Sequence, residues 1–260
     1  MTRKLVWFAL TAPLAVWAQG KAAEKLARPA PGVNWEGQVV RATGGGAPDL
    51  KAANPAAARL GAERAAQMDA FRKLLEQVKG VHISAGRTVG DEMAKDEVRG
   101  QVEGVVRGFK VTGKRYFSDS GVEVDVEVPL AALTELFVQS GEEAVAVNKE
   151  GDKTNTGLVV DARGLKVTPA LAVRLVDEAG KLVYGVEMLS TEARKSSAVA
   201  VFVKGLAEAK RSVKVGDKPL VVKAARVQGS DLVLGAGEVK KLSQTNNTFL
   251  AEGRVVVVTQ

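Results

Sequence analysis

The stretch Asn54–Gly80, NPAAARLGAERAAQMDAFRKLLEQVKG, decides how this chain is read. Asn54 is a good N-cap because its side-chain oxygen can accept a free amide of the first turn. Pro55 suits the first helical position, and Gly80 is a natural stop. Leu60, Met68, Phe71, Leu75 and Val78 recur at mostly three- and four-residue steps, which predicts the buried face of a long helix. Ala57, Ala58, Ala62, Ala65 and Ala66 keep the other positions thin, so the helix can approach a sheet closely.

The surroundings supply that sheet. Trp35–Ala42 reads as a strand ended by Gly44-Gly45-Gly46-Ala47-Pro48, and Val81–Ser84 as a short strand followed by a polar stretch, 85–97. Phe109, Val111, Gly113 and Phe117 share one parity. After the turn Ser118–Gly121, the run Val122–Val128 alternates strictly, the period of a half-buried strand. A four-residue turn would set Lys114 opposite Asp125 and Phe117 opposite Val122, with Arg115 interrupting the apolar face. Leu130–Val138 suits a closing helix, and 139–156 a linker.

A second pattern starts at Gly157-Leu158-Val159-Val160. Leu171–Val176 and Leu182–Gly185 predict a hairpin around Asp177–Gly180, and Ser196–Arg211 a helix. Leu220–Val227 and Asp231–Leu234 read as strands, Gly237–Leu242 as a short helix, and Arg254–Thr259 as a last strand. The fold class is therefore α+β: two small domains, 33–138 and 157–260, each a mostly antiparallel sheet with a packing helix.

Residues 1–18 read as a secretory signal. Arg3 and Lys4 precede an uncharged, mostly apolar run from Leu5 to Trp17, with Val16 and Ala18 before an expected cleavage at Gln19. Residues 19–32 look like a flexible leader. Gln19 stands where a lipoprotein carries its modified cysteine, and the chain has no cysteine at all, which removes disulfides, thiolate metal sites and cysteine nucleophiles. The expectation is a periplasmic protein without a membrane span once the signal is cleaved.

The net charge is +7, and 157–260 carries most of the excess, with sixteen basic against ten acidic side chains. Lys204, Lys210, Arg211, Lys214, Lys218, Lys223 and Arg226 could engage an acidic partner, or simply be solvated. Few aromatics accompany them, which argues against nucleic acid. No catalytic, cofactor-binding or metal-ligating residue is assigned. His82 is the sole histidine and lies within a strand. The Gly44–Gly46 run lacks the rest of a phosphate loop, and no serine sits in a nucleophile elbow. Asp91, Glu92, Asp96 and Glu97 lack calcium-loop spacing. Glu123, Asp125 and Glu127 line one strand face and could hold a cation, but cross-strand pairing with Lys110 and Lys114 is the simpler expectation.

Trp35-Glu36-Gly37, Ala42-Thr43-Gly44, Asn54-Pro55-Ala56, the run Arg64-Ala65-Ala66 with Asp69-Ala70 and Arg72, Val78–Val81, and the strands at 108–111 and 121–128 carry a family resemblance. The segment Trp35–Val128 resembles the N-terminal domain of flagellar assembly protein T and the related flagellar outer-membrane lipoproteins, here without the lipidated cysteine. The resemblance implies a helix across an antiparallel sheet and a non-catalytic role in envelope or flagellar assembly. Its partners would be envelope or flagellar proteins, or a second copy of the chain. Gly157–Gly164 with Val183-Tyr184-Gly185 is similar to a region found beside this domain in exported bacterial proteins. The alternative expectation is a periplasmic small-ligand or metal-binding protein.

Overall fold

The computed structural model describes residues 30–84, 86–137, 147–151 and 153–260. The expected signal, all but the end of the leader, and part of the linker lie outside them.

In the first module β1 (Gly32–Asn34) and β2 (Val39–Gly46) lead into α1 (Pro55–Lys79), and the Asn54 side chain accepts the Ala57 amide at 2.8 Å. A small ribbon, β3 (His82–Ser84) and β4 (Arg87–Thr88), precedes α2 (Val89–Glu92) and α3 (Asp96–Arg107). The hairpin β5 (Lys110–Tyr116) and β6 (Val122–Pro129) runs into α4 (Leu130–Phe137). The main sheet has the order β1-β2-β6-β5, every pairing antiparallel, and α1 packs on it.

The helix ends where the sequence predicts but turns a different face inward. Ala58, Ala62, Ala66, Ala70, Leu74 and Val78 are buried, whereas Leu60 and Met68 are 53% and 68% exposed. The reason is the glycine run, which continues β2 rather than ending it. A Cβ on Gly44 would sit 2.1 Å from the Ala66 carbonyl oxygen, and one on Gly46 only 1.9 Å from that of Ala62. Backbone meets backbone there, and a face of large side chains could not come so close. Asp69 fastens the contact: it accepts the Gly45 amide at 3.0 Å and pairs with Lys73 at 2.7 Å.

The hairpin register also differs from expectation. Lys114 faces Val124, Tyr116 faces Val122, and Gly113 faces Asp125, because a bulge lies between Val111 and Gly113. The extra residue reverses the parity beyond it. Arg115 thus joins the acidic face instead of breaking the apolar one. Helix α3 was not legible: two glycines, Gly100 and Gly104, dilute its valines, of which Val102 and Val106 are buried.

The second module contains β7 (Gly157–Asp161), the hairpin β8 (Leu175–Val176) and β9 (Leu182–Tyr184), α5 (Thr191–Ser196), β10 (Val201–Val203) and α6 (Leu206–Arg211). It continues with β11 (Pro219–Gln228), β12 (Asp231–Leu234), α7 (Ala236–Ser243) and β13 (Val255–Val258). The seven-stranded sheet has the order β10-β13-β7-β11-β12-β8-β9. The chain is α+β, but this sheet corrects the antiparallel expectation: four of its six pairings are parallel. Strands covered on both faces lose the apolar–polar alternation that marks hairpins. All four residues of β13 are buried; Val255 and Val257 face one core, Val256 and Val258 the other.

The single helix expected over 196–211 is instead α5, β10 and α6. Its centre, Ala198–Val203, is buried throughout, and Val201–Val203 pairs with β13. Of the expected linker, 139–156, residues 139–146 and 152 lie outside the described residues. Asn148 is held by the Asn247 side chain at 2.6 Å and by the Ser243 carbonyl, so the chain is already docked on the second module there.

Each module lends a piece to the other. The Leu171 and Ala172 amides donate to the His82 and Ile83 carbonyls at 2.9 and 2.8 Å, and Leu171 packs in the first core. In return Trp35 meets Phe202 edge-on, with ring centroids 5.6 Å apart.

Candidate functional site

The acidic row on β6 is charge-paired, though not as the sequence suggested. Arg115 donates from Nε to Glu123 at 3.0 Å and from both terminal nitrogens to Asp125, one at 2.9 Å. Arg41 reaches Glu127 at 3.4 Å, and the Thr43 hydroxyl donates to Asp125 at 2.6 Å. Asp125 and Glu123 together hold the Arg115 guanidinium well above its ordinary pKa. Lys114 turns to the other face and pairs with Glu63 of α1 at 2.5 Å. Two guanidinium groups thus lie where a cation would have to bind.

The remaining sequence candidates resolve into structure. Asp91 forms a capping box with Thr88, whose amide and hydroxyl hold its carboxyl below the usual range. Glu92 pairs with Lys95 at 3.2 Å, and Asp96 with Arg99 at 3.0 Å. His82 is half-buried in β3, where its carbonyl ties the modules together. Among the described residues no group of three or more histidine, aspartate or glutamate side chains could hold a metal ion.

The basic residues of the second module do not form one patch. Lys210 and Arg211 close α6, while Lys218 precedes β11 and Arg226 lies near its far end, roughly 26 Å away along a strand. Lys214 is partly buried, with Nζ donating to the Ser197 hydroxyl at 3.0 Å. Burial, helped by the Arg254 charge, pulls its pKa down. The two residues are seventeen apart on different elements, and no local signal marks the contact.

What the fold does assemble is a cleft between the modules, of about 430 Å³. The turn Trp35–Gln38 builds one wall. Asn34 accepts the Gly37 amide at 2.7 Å, and Gln38 takes the left-handed conformation with φ 54°. That geometry throws Trp35 against Phe202. The other wall is the carboxyl end of β10 with Thr259 beyond β13, and Arg41 and Lys204 stand on the lining. Open parallel sheets commonly bind ligands at this end. Next to it, Glu36 from the turn contacts Glu208 of α6. The like charge of Glu208 raises the Glu36 pKa, and Lys204 partly offsets this. Sequence reading missed the cleft because its residues come from positions 30–41, 169, 202–204 and 259.

Among the described residues no helix is long and apolar enough to cross a membrane. No curated protein matches the chain. Residues 157–260 match a family model described as the second domain of Treponema pallidum Tp0624, so the second module is similar to that domain.

Proposed function

We propose that this chain is an exported, non-catalytic structural or interaction protein of the bacterial cell envelope, held there by protein partners, with flagellar assembly as its most specific setting. The observation that carries this reading is the reciprocal joining of the modules: Trp35 is seated on Phe202, and Leu171 lies in the first core. Such a joint favours a single body that presents surfaces. The ion-paired row of β6 favours the same reading over cation binding. The charged signal-like start and the resemblance of 35–128 to a flagellar assembly domain supply the location.

Fractionation of cells carrying a tagged copy, followed by crosslinking and pull-down from the envelope fraction, tests it. The expected result is periplasmic recovery with a reproducible envelope partner, and altered motility on deletion. A cytoplasmic location, or an envelope fraction that yields no specific partner, refutes it.

A further inference from the structure

Sulfur in this chain is confined to four methionine thioethers, since there is no cysteine. A thioether is oxidised wherever a peroxide can reach it, and no thiol is present to compete for the oxidant. Among the described residues the methionines divide sharply. Met93 is 6% exposed in the first core and Met188 is 7% exposed in the second, whereas Met68 is 68% exposed.

The position of Met68 follows from the alanine face of α1. Ala66 and Ala70 are buried against the sheet, and a residue two positions from each lies about 200° around the helix from them, on the solvent side. Its neighbours there, Leu60, Arg64, Ala65 and Arg72, are exposed as well. An oxygen added to this sulfur therefore enters a surface already in water, where the same addition inside a core would break packing. Arg64 and Arg72 stand one turn before and one turn after Met68, so guanidinium donors are helical neighbours of the new oxygen.

We propose that Met68 is the oxidant-scavenging site of the folded protein, taking an oxygen atom from a hydroperoxide while the fold stays intact. A sulfur lone pair attacks one peroxide oxygen and the O–O bond breaks. The departing hydroxide takes the proton left on the transferred oxygen and leaves as water. Sulfur is oxidised by two electrons and the peroxide is reduced by two. Sulfoxide reductases return the thioether, so the site can act again. This inference does not depend on the envelope reading.

The test exposes the folded full chain to hydrogen peroxide, quenches at intervals and maps the peptides by mass spectrometry. Met68 should oxidise first, with Met93 and Met188 about tenfold slower, following the ratio of their exposures. In urea the three rates should converge. Protein oxidised at Met68 should keep its Tm within about 2 °C, as an exposed substitution does. Purified methionine sulfoxide reductases of both epimer specificities should restore the thioether without unfolding. Met68→Leu conserves volume and should abolish the fast phase while leaving the rates at Met93 and Met188 unchanged. Oxidation of Met93 or Met188 as fast as Met68 in the folded chain would overturn the proposal, as would rate differences that persist in urea. A larger fall in Tm, or a Met68 sulfoxide that the reductases cannot reach, would overturn it equally.

Discussion

Gly46→Ala should be among the most damaging single-methyl additions in the first module. The new Cβ would lie 1.9 Å from the Ala62 carbonyl oxygen and 2.7 Å from the Ala66 nitrogen, where ordinary contact begins at 3.4 Å. Relief demands a shift of about 1.5 Å between α1 and β2, and both sides are backbone, so no rotamer change provides it. Moving the helix that far would open the packing around Ala66 and Ala70 and pull Asp69 from the Gly45 amide. Overpacking alone costs about 1–3 kcal/mol, and a lost charge-assisted hydrogen bond adds about 1 kcal/mol. A total near 3 kcal/mol corresponds to a fall in Tm of roughly 6–12 °C. Gly45→Ala is the matched control: its Cβ meets nothing within 4 Å, and its cost should stay within about 0.5 kcal/mol. Urea unfolding followed by circular dichroism measures both. If the two variants unfold within about 0.5 kcal/mol of each other, the close-approach reasoning is wrong.

Three further outcomes follow from particular contacts. The Asp69 carboxyl is held far below its usual range, chiefly by Lys73 and then by the Gly45 amide. It therefore contributes stability that is present above the ordinary carboxylate pKa and lost as pH falls from about 4. Asp69→Asn should remove on the order of 1 kcal/mol at pH 7 and progressively less as pH falls below about 4, as read from denaturation midpoints. Tyr184 is fully buried and donates to the Val199 carbonyl at 2.5 Å, so Tyr184→Phe should cost about 1–2 kcal/mol in urea unfolding by stranding that carbonyl. The Glu36 carboxyl has its pKa raised, first by Glu208, so the junction is most stable below the ordinary glutamate pKa and loses that stability as pH rises through the raised value. Glu208→Gln should flatten this dependence in a thermal-shift series from pH 3 to 7; an unchanged profile would show the pair uncoupled.

Much of the architecture was legible because it is written in local chemistry. The Asn54 cap, Pro55 and Gly80 set the ends of α1 by hydrogen bonding within one turn. The strict alternation of Val122–Val128 could only be a half-buried strand, and the structure buries all four valines. Two misreadings have one cause each. The large residues of α1 suggested its buried face, but Gly44 and Gly46 leave the sheet so flat that the alanine face packs closest. The parity of β5 was sound until the bulge at Thr112 reversed it, which put Arg115 between Glu123 and Asp125.

By itself, the sequence determined the α+β class, the ends of the longest helix, the hairpin turns and the uneven charge, since each depends on neighbours a few residues apart. Only the tertiary structure decided that β7, β10, β11 and β13 run parallel, that the acidic row pairs with arginines, and that Trp35 and Phe202 floor a cleft between two open edges. Those features join separate elements, as when Arg41 meets Glu127 or Trp35 meets Phe202. Their distances are fixed by how whole faces pack, which no local pattern encodes.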